Sequence, residues 1–164
     1  MRYARLPLVF AAILMLGAAP PEASPVARAA ECRASHRAAR AALRRLPVRE
    51  TAEENTEHGF GATTSYDATG FAVAGIPVRA LVASDINAIP GESLTIWTRF
   101  DAPYDAVRAA ALRSIGKPAC INREGAPGYC LLAESRIGGW TRTLTLDVED
   151  GRPLLACLYW KPRR

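Results

Sequence analysis

Four cysteines, Cys32, Cys120, Cys130 and Cys157, constrain this chain more than any other feature, because their role depends on the compartment in which it folds. That compartment is written at the other end of the sequence. Arg2 and Arg5 open the chain, an apolar run follows from Leu6 to Ala19, and a looser Ala- and Pro-rich stretch leads to Cys32. A short positive region, an apolar core and a small-residue exit compose a secretory signal peptide. The apolar run is short of the roughly 20 residues that a membrane-spanning helix needs. Ala27 and Ala29 form an A-x-A pattern, which places the expected cleavage after Ala29, with a leader over 1–29 and one mature domain over 30–164. Pro20 disfavours cleavage after Ala19, and Glu31 before Cys32 argues against lipid attachment. The processed chain is expected to be periplasmic or secreted, with no stable membrane span.

An exported chain meets oxidising conditions, where an even number of cysteines reads as disulfides. The spacing of Cys120 and Cys130 is too wide for a C-x-x-C redox pair, and no second close pair or H-x-x-x-H supports zinc. Between them "INREGAPGY" has the Gly and Pro of a reversing loop, which brings its ends to disulfide distance. Cys120–Cys130 is therefore the expected pair, leaving Cys32–Cys157 by elimination. On the chain-entropy account the short loop contributes roughly 2.5–3 kcal/mol and the long one nominally about 5.

Along the chain, "ECRASHRAARAALRRLP" predicts one helix from Glu31 to Pro47, with Arg33, Arg37, Arg40 and Arg44 in a basic stripe. "VRETAEENTEHG" reads as a polar acidic connection over 48–58. Short alternating runs follow. Strands are expected in "ATTSYDATGFAV", "IPVRALVA" and "SLTIWTRF", the last two separated by a loop "SDINAIPGE". In the third run Leu94, Ile96 and Phe100 face one way, and Thr95, Trp97 and Arg99 the other. A second helix is marked by Asp101 as cap, by Tyr104, Val107, Ala111 and Ile115 as its apolar stripe, and by Gly116 as its stop. Three strands complete the chain, "GYCLLAESRI", "WTRTLTLDVE" and "PLLACLYW", with Asp150–Gly151 as a hairpin pair. The expected fold is α+β: an antiparallel sheet of about five to six strands with two helices on one face, stapled by disulfides. The element order hints at two α-β-β-β halves.

Chemistry is sparse. The full chain carries 21 basic and 16 acidic residues, and removing Arg2, Arg5, Arg28 and Glu22 with the leader leaves 18 against 15. A net +3 is too small to argue for nucleic acid. His36 and His58 stand outside any nucleophile or H-E-x-x-H motif, "SIGK" lacks the glycine and strand of a phosphate loop, and no cofactor motif is present. Asp85, Glu92, Asp101 and Glu134 are the carboxylates a fold could assemble for hydrolysis. "SD" at Ser84–Asp85 is first a turn signal.

The aromatic and Arg residues are more informative, since Trp, Tyr and Arg dominate binding hot spots. Trp97 and Arg99 share a strand face, Trp140 and Arg142 open another strand, and Tyr159 and Trp160 take opposite faces of the last. A sheet face carrying Trp97, Arg99, Thr143 and Thr145 would be flat and able to grip a protein or glycan. Arg37 and Arg40 belong to a stripe that reads first as a solvated helix face and second as a docking surface for an acidic partner or anionic lipid. The expected function is a non-catalytic protein-binding module of the cell envelope, such as an inhibitor or immunity-type protein. The rival expectation is a small envelope hydrolase or glycan-acting enzyme using carboxylates brought together by the fold.

Overall fold

A computed structural model of the chain describes residues 24–56, 59–88, 91–122 and 128–163. Three helices are present among them, α1 (Pro25–Ala30), α2 (His36–Leu43) and α3 (Tyr104–Ser114). The strands are β1 (Val48–Thr56), β2 (Gly59–Tyr66), β3 (Ala72–Val73), β4 (Ile76–Ala88), β5 (Gly91–Phe100), β6 (Ile121–Asn122), β7 (Cys130–Ile137), β8 (Trp140–Glu149) and β9 (Arg152–Pro162). Eight lie side by side in the order β1-β2-β4-β5-β9-β8-β7-β6, every neighbouring pair antiparallel, while the short β3 pairs β4. The last strand of the first meander, β5, pairs with the last strand of the second, β9, so the two halves join at the centre of the sheet. The fold is α+β as expected, with nine strands instead of five to six and three helices instead of two.

Period-two alternation creates the core. Leu94, Ile96, Thr98 and Phe100 on β5 and Leu155, Cys157 and Tyr159 on β9 are at most 1 % exposed. The register aligns them with Leu144 and Leu146 of β8 and with Leu81 and Ala83 of β4. Onto this helix face pack Val26 and Ala29 of α1, Ala39 and Leu43 of α2, and Val107 and Ala111 of α3. Small alanines let the helix backbones approach the sheet, and each large aliphatic residue so buried contributes roughly 1.5–3 kcal/mol.

Several local expectations are corrected. The helix expected over Glu31–Pro47 is confined to α2, His36–Leu43, and a separate helix, α1, precedes it. Cys32 sits at φ 56°, and the N–H groups of Cys32 and Arg33 donate back to the carbonyls of Ala29 and Arg28 at 3.1 and 2.7 Å. This is a Schellman stop with a cysteine where glycine is usual, held in place by its disulfide. Ser35 then caps α2 through the N–H of Ala38.

The position after Ala29 lies inside α1, where Val26 and Ala27 are buried, Ala29 and Ala30 have no exposure, and the Ser24 hydroxyl caps the helix. The polar connection over 48–58 is, as far as Thr56, the edge strand β1; Arg49, Glu50 and Glu53 stay exposed there, which suits a strand with one open edge. The loop expected between "IPVRALVA" and "SLTIWTRF" is largely strand, since β4 continues through Ser84 and Asp85 to Ala88. Within the second predicted helix, Asp101 does not cap; it pairs with Arg79 and Arg152 at 3.3 and 3.5 Å, and Gly116 ends the helix at φ 68°.

Both expected disulfides are formed, Cys32–Cys157 and Cys120–Cys130, with Cα separations of 5.4 and 5.5 Å. The first ties the α1–α2 junction to the central strand β9, across 125 residues of chain. The second closes the loop between β6 and β7.

Candidate binding surface

All three helices pack on one side of the sheet, and among the described residues no element covers the other. The register places the open-face side chains in rows. Val82, Trp97, Ala156 and Thr145 form one row, and Ser84, Thr95, Leu158 and Thr143 the next. Ile86, Ser93, Trp160 and Thr141 form the third. Trp97 and Trp160 thus stand on neighbouring strands with the Thr95–Leu158 pair between their rows, about 13 Å apart along the strands at 3.3 Å per residue. Leu158 is 36 % and Trp160 38 % exposed. Hydroxyls and apolar groups alternate across this band, and the rigid ladder beneath fixes their positions.

Charge flanks the band on two sides. Arg99 shares a row with Leu154, and its Nε donates to Glu149 at 2.6 Å across β9. That hydrogen bond raises the guanidinium pKa further. Arg152 and Arg79 both meet Asp101. On β7 the exposed Glu134 and Arg136 extend the Thr143 and Thr141 rows. Aromatic, aliphatic and hydroxyl groups thus fill the middle of the face, with charges at its margins.

The other anticipated residues lie elsewhere. Trp140 and Arg142 share the parity of Leu144 and Leu146, so they point to the helix face. Trp140 stacks on His36 at 3.6 Å between ring centroids and 13° between planes, with Lys161 Nζ 5.8 Å from its ring. Arg142 donates to the Ala34 carbonyl and the Ser135 hydroxyl, both at 3.1 Å. Arg40 pairs with Asp85 through Nε at 2.8 Å and through its second nitrogen, so it is not a free docking cation. Arg37 is exposed on α2. The structure therefore brings together Trp97, Arg99 and Trp160, and separates from them the pair Trp140 and Arg142 and the pair Arg37 and Arg40. Leu158 and Val82 join the open face without having been singled out; period-two counting from Trp160 and from Leu81 would have found them.

Of the carboxylates available for hydrolysis, Asp85 and Glu92 fall on the helix side of the neighbouring strands β4 and β5, beside His36, whereas Asp101 and Glu134 lie apart from them. Asp85 is held by Arg40, Asp101 by Arg79 and Arg152, and Glu134 projects exposed from the open side of β7. His36 lies in the field of two carboxylates, Asp85 and Glu92. Burial lowers its pKa first and Arg40 second, against the opposing pull of that pair. A depressed pKa suits its role as a neutral ring stacked on Trp140. Among the described residues no three His, Cys, Asp or Glu side chains gather as metal ligands, and His58 lies outside those residues. No helix among them is long and apolar enough to cross a membrane.

Comparison with known proteins finds no matching family model, no matching curated protein and no matching solved structure.

Proposed function

We propose that the chain is an exported, non-catalytic module that binds a protein partner through the open face of its sheet, in the periplasm or outside the cell. The observation that carries this reading is the band of Trp97, Leu158 and Trp160 on the side of the sheet that no described helix covers, opposite the core. An extended sheet surface selects the ligand class. Small molecules favour concave sites of about 300–1,000 Å³, whereas the open face offers a surface. Seven adjacent strands spaced about 4.8 Å apart and some seven residues long give about 800 Å², the share each partner contributes to a standard protein interface. The matched charges at the Arg99–Glu149 end set orientation more than affinity.

Two disulfides and the leader-like N-terminal residues support an oxidising exported compartment. An inhibitor or immunity-type protein against an exported hydrolase fits this design: small, stapled and rigid. The experiment is affinity capture with the oxidised, processed chain from the envelope fraction of its source, alongside Trp97→Ala/Trp160→Ala and Arg37→Glu variants. A stoichiometric partner lost with the double variant and kept with Arg37→Glu supports the reading; a partner indifferent to Trp97 and Trp160 overturns the assigned face.

A further inference from the structure

The helix side of the second half carries a feature that the open face does not use. Two cavities of about 510 and 590 Å³ meet there. Both are lined by Arg28 of α1 and by Arg33. The first continues to Ser35 at the start of α2, and the second to Ser114, Ser135, Ile137 and Arg142 over β7. Together they form one trough between the α1–α2 junction, the end of α3 and the outer strand of the sheet.

Its charge is positive. Among the described residues Glu31 is the one acidic side chain lining either cavity, so their balance with Arg28, Arg33 and Arg142 is +2. Glu31 is also spent inward: it is 5 % exposed and accepts from the Ala74 N–H at 2.8 Å, the Ser114 hydroxyl at 2.7 Å and Arg33 at 3.2 Å. Among the described residues neither Arg28 nor Arg142 meets a carboxylate. Arg142 is instead pinned by Ala34 and Ser135, which fixes its guanidinium at the trough wall.

The trough also borders a free sheet edge. β6 pairs with β7 only through Ile121↔Leu131 and Asn122↔Cys130. Among the described residues Ala133–Ile137 has no strand partner on that side, and Ile137 is 53 % exposed. An unpaired edge is a template for an extended peptide, whose alternate side chains would point to the helix side. Guanidinium groups and hydroxyls at that side suit carboxylates, which they bind by charge-assisted hydrogen bonds.

We propose that this trough receives an extended acidic segment of a protein, which adds as a strand along Ala133–Ile137 and sets its inward carboxylates against Arg28, Arg33 and Arg142. The test uses the oxidised chain from Ser24 onward, which retains Arg28, and a fluorescein-labelled peptide of alternating Glu and Val. Controls are the same peptide with Lys for Glu, and one with a central Pro that cannot complete a strand ladder. Fluorescence anisotropy should show saturable binding of the acidic peptide that weakens with salt. Arg28→Glu should lower its affinity about tenfold or more, the scale of one lost charge-assisted contact. Arg45→Glu, which changes net charge equally from outside the trough, should change it less than about twofold, and the Pro peptide should lose as much as Arg28→Glu does. Arg28 is exposed, and unchanged melting of its variant excludes misfolding as the cause. No binding, equal binding of the Lys or Pro peptide, or equal loss in Arg45→Glu overturns the proposal. So does Arg28-dependent binding to anionic phospholipid vesicles with none to the peptide. Trp97→Ala/Trp160→Ala should leave peptide binding unchanged, so this result and that for the open face stand or fall separately.

Discussion

The phenol of Tyr159, at the centre of the sheet and without solvent exposure, donates a hydrogen bond to the backbone carbonyl of Ala29 at 3.1 Å. One turn of helix earlier, Val26 and Ala27 are buried in the same core. Packing of α1 therefore favours a working protein that retains this helix. Intact-mass measurement of the exported chain is expected to give an N-terminus at Ser24 or upstream of it. A chain beginning at Ala30 should be less stable by roughly 3–5 kcal/mol in urea unfolding, from lost apolar burial and an orphaned Tyr159 hydroxyl. A natural N-terminus at Ala30 would contradict the packing.

His36 supplies a pH dependence. Burial and Arg40 depress its pKa below the ordinary value of 6.5. Between the two values the unfolded chain binds more protons than the folded one, so stability from this group is fully present above about 6.5 and is lost as pH falls. Melting temperature should drop from pH 7.5 to 5.0, and the drop should be smaller in His36→Gln. An equal slope in both proteins would show that carboxylates elsewhere govern the acid limb.

Thr98 is a built-in imperfection. It lies on the helix face of β5 with no exposure, and among the described residues its hydroxyl finds no partner. Valine keeps the shape and the β-branch while removing an unsatisfied polar atom. Thr98→Val is expected to raise unfolding free energy by about 1 kcal/mol. Loss of stability on this substitution would mean that the hydroxyl is satisfied in solution.

The two staples should differ in weight. Cys32–Cys157 joins segments 125 residues apart and Cys120–Cys130 only 10. Removing the first by paired Cys→Ala substitution is expected to cost about 4–5 kcal/mol and the second about 2.5–3 in denaturant unfolding. Equal costs would show that native packing, not chain entropy, sets their contributions.

Much of this architecture is legible in the sequence, because strong alternation and Gly, Pro and Asp punctuation carry it. Asp150 and Gly151 take positive φ, 50° and 74°, in the hairpin their identities announce. Alternation also places Trp97, Arg99, Thr143 and Thr145 on one face. What escapes reading lacks a local signal. β1 has no apolar period, with Arg49, Glu50 and Glu53 facing solvent, and Ser84–Asp85 looks like a turn although Asp85 serves as the partner of Arg40. Cys32 ends a helix in a glycine's conformation, which only its cross-link to β9 reveals. Alternation from Leu144 puts Trp140 on the helix side, but its stacking partner His36 is more than a hundred residues away, and the trough unites Arg28 from the leader-like region with Arg142 from a strand.

The central claim is that the open sheet face meets a protein, and Trp oxidation tests it directly, whatever the partner's identity. The processed chain would be labelled in buffer and in the envelope fraction of its source, and oxidation read at each Trp by mass spectrometry. Protection of Trp97 and Trp160, with Trp140 unchanged as the internal control on the opposite face, is the predicted result. Unchanged labelling of Trp97 and Trp160 would contradict the account.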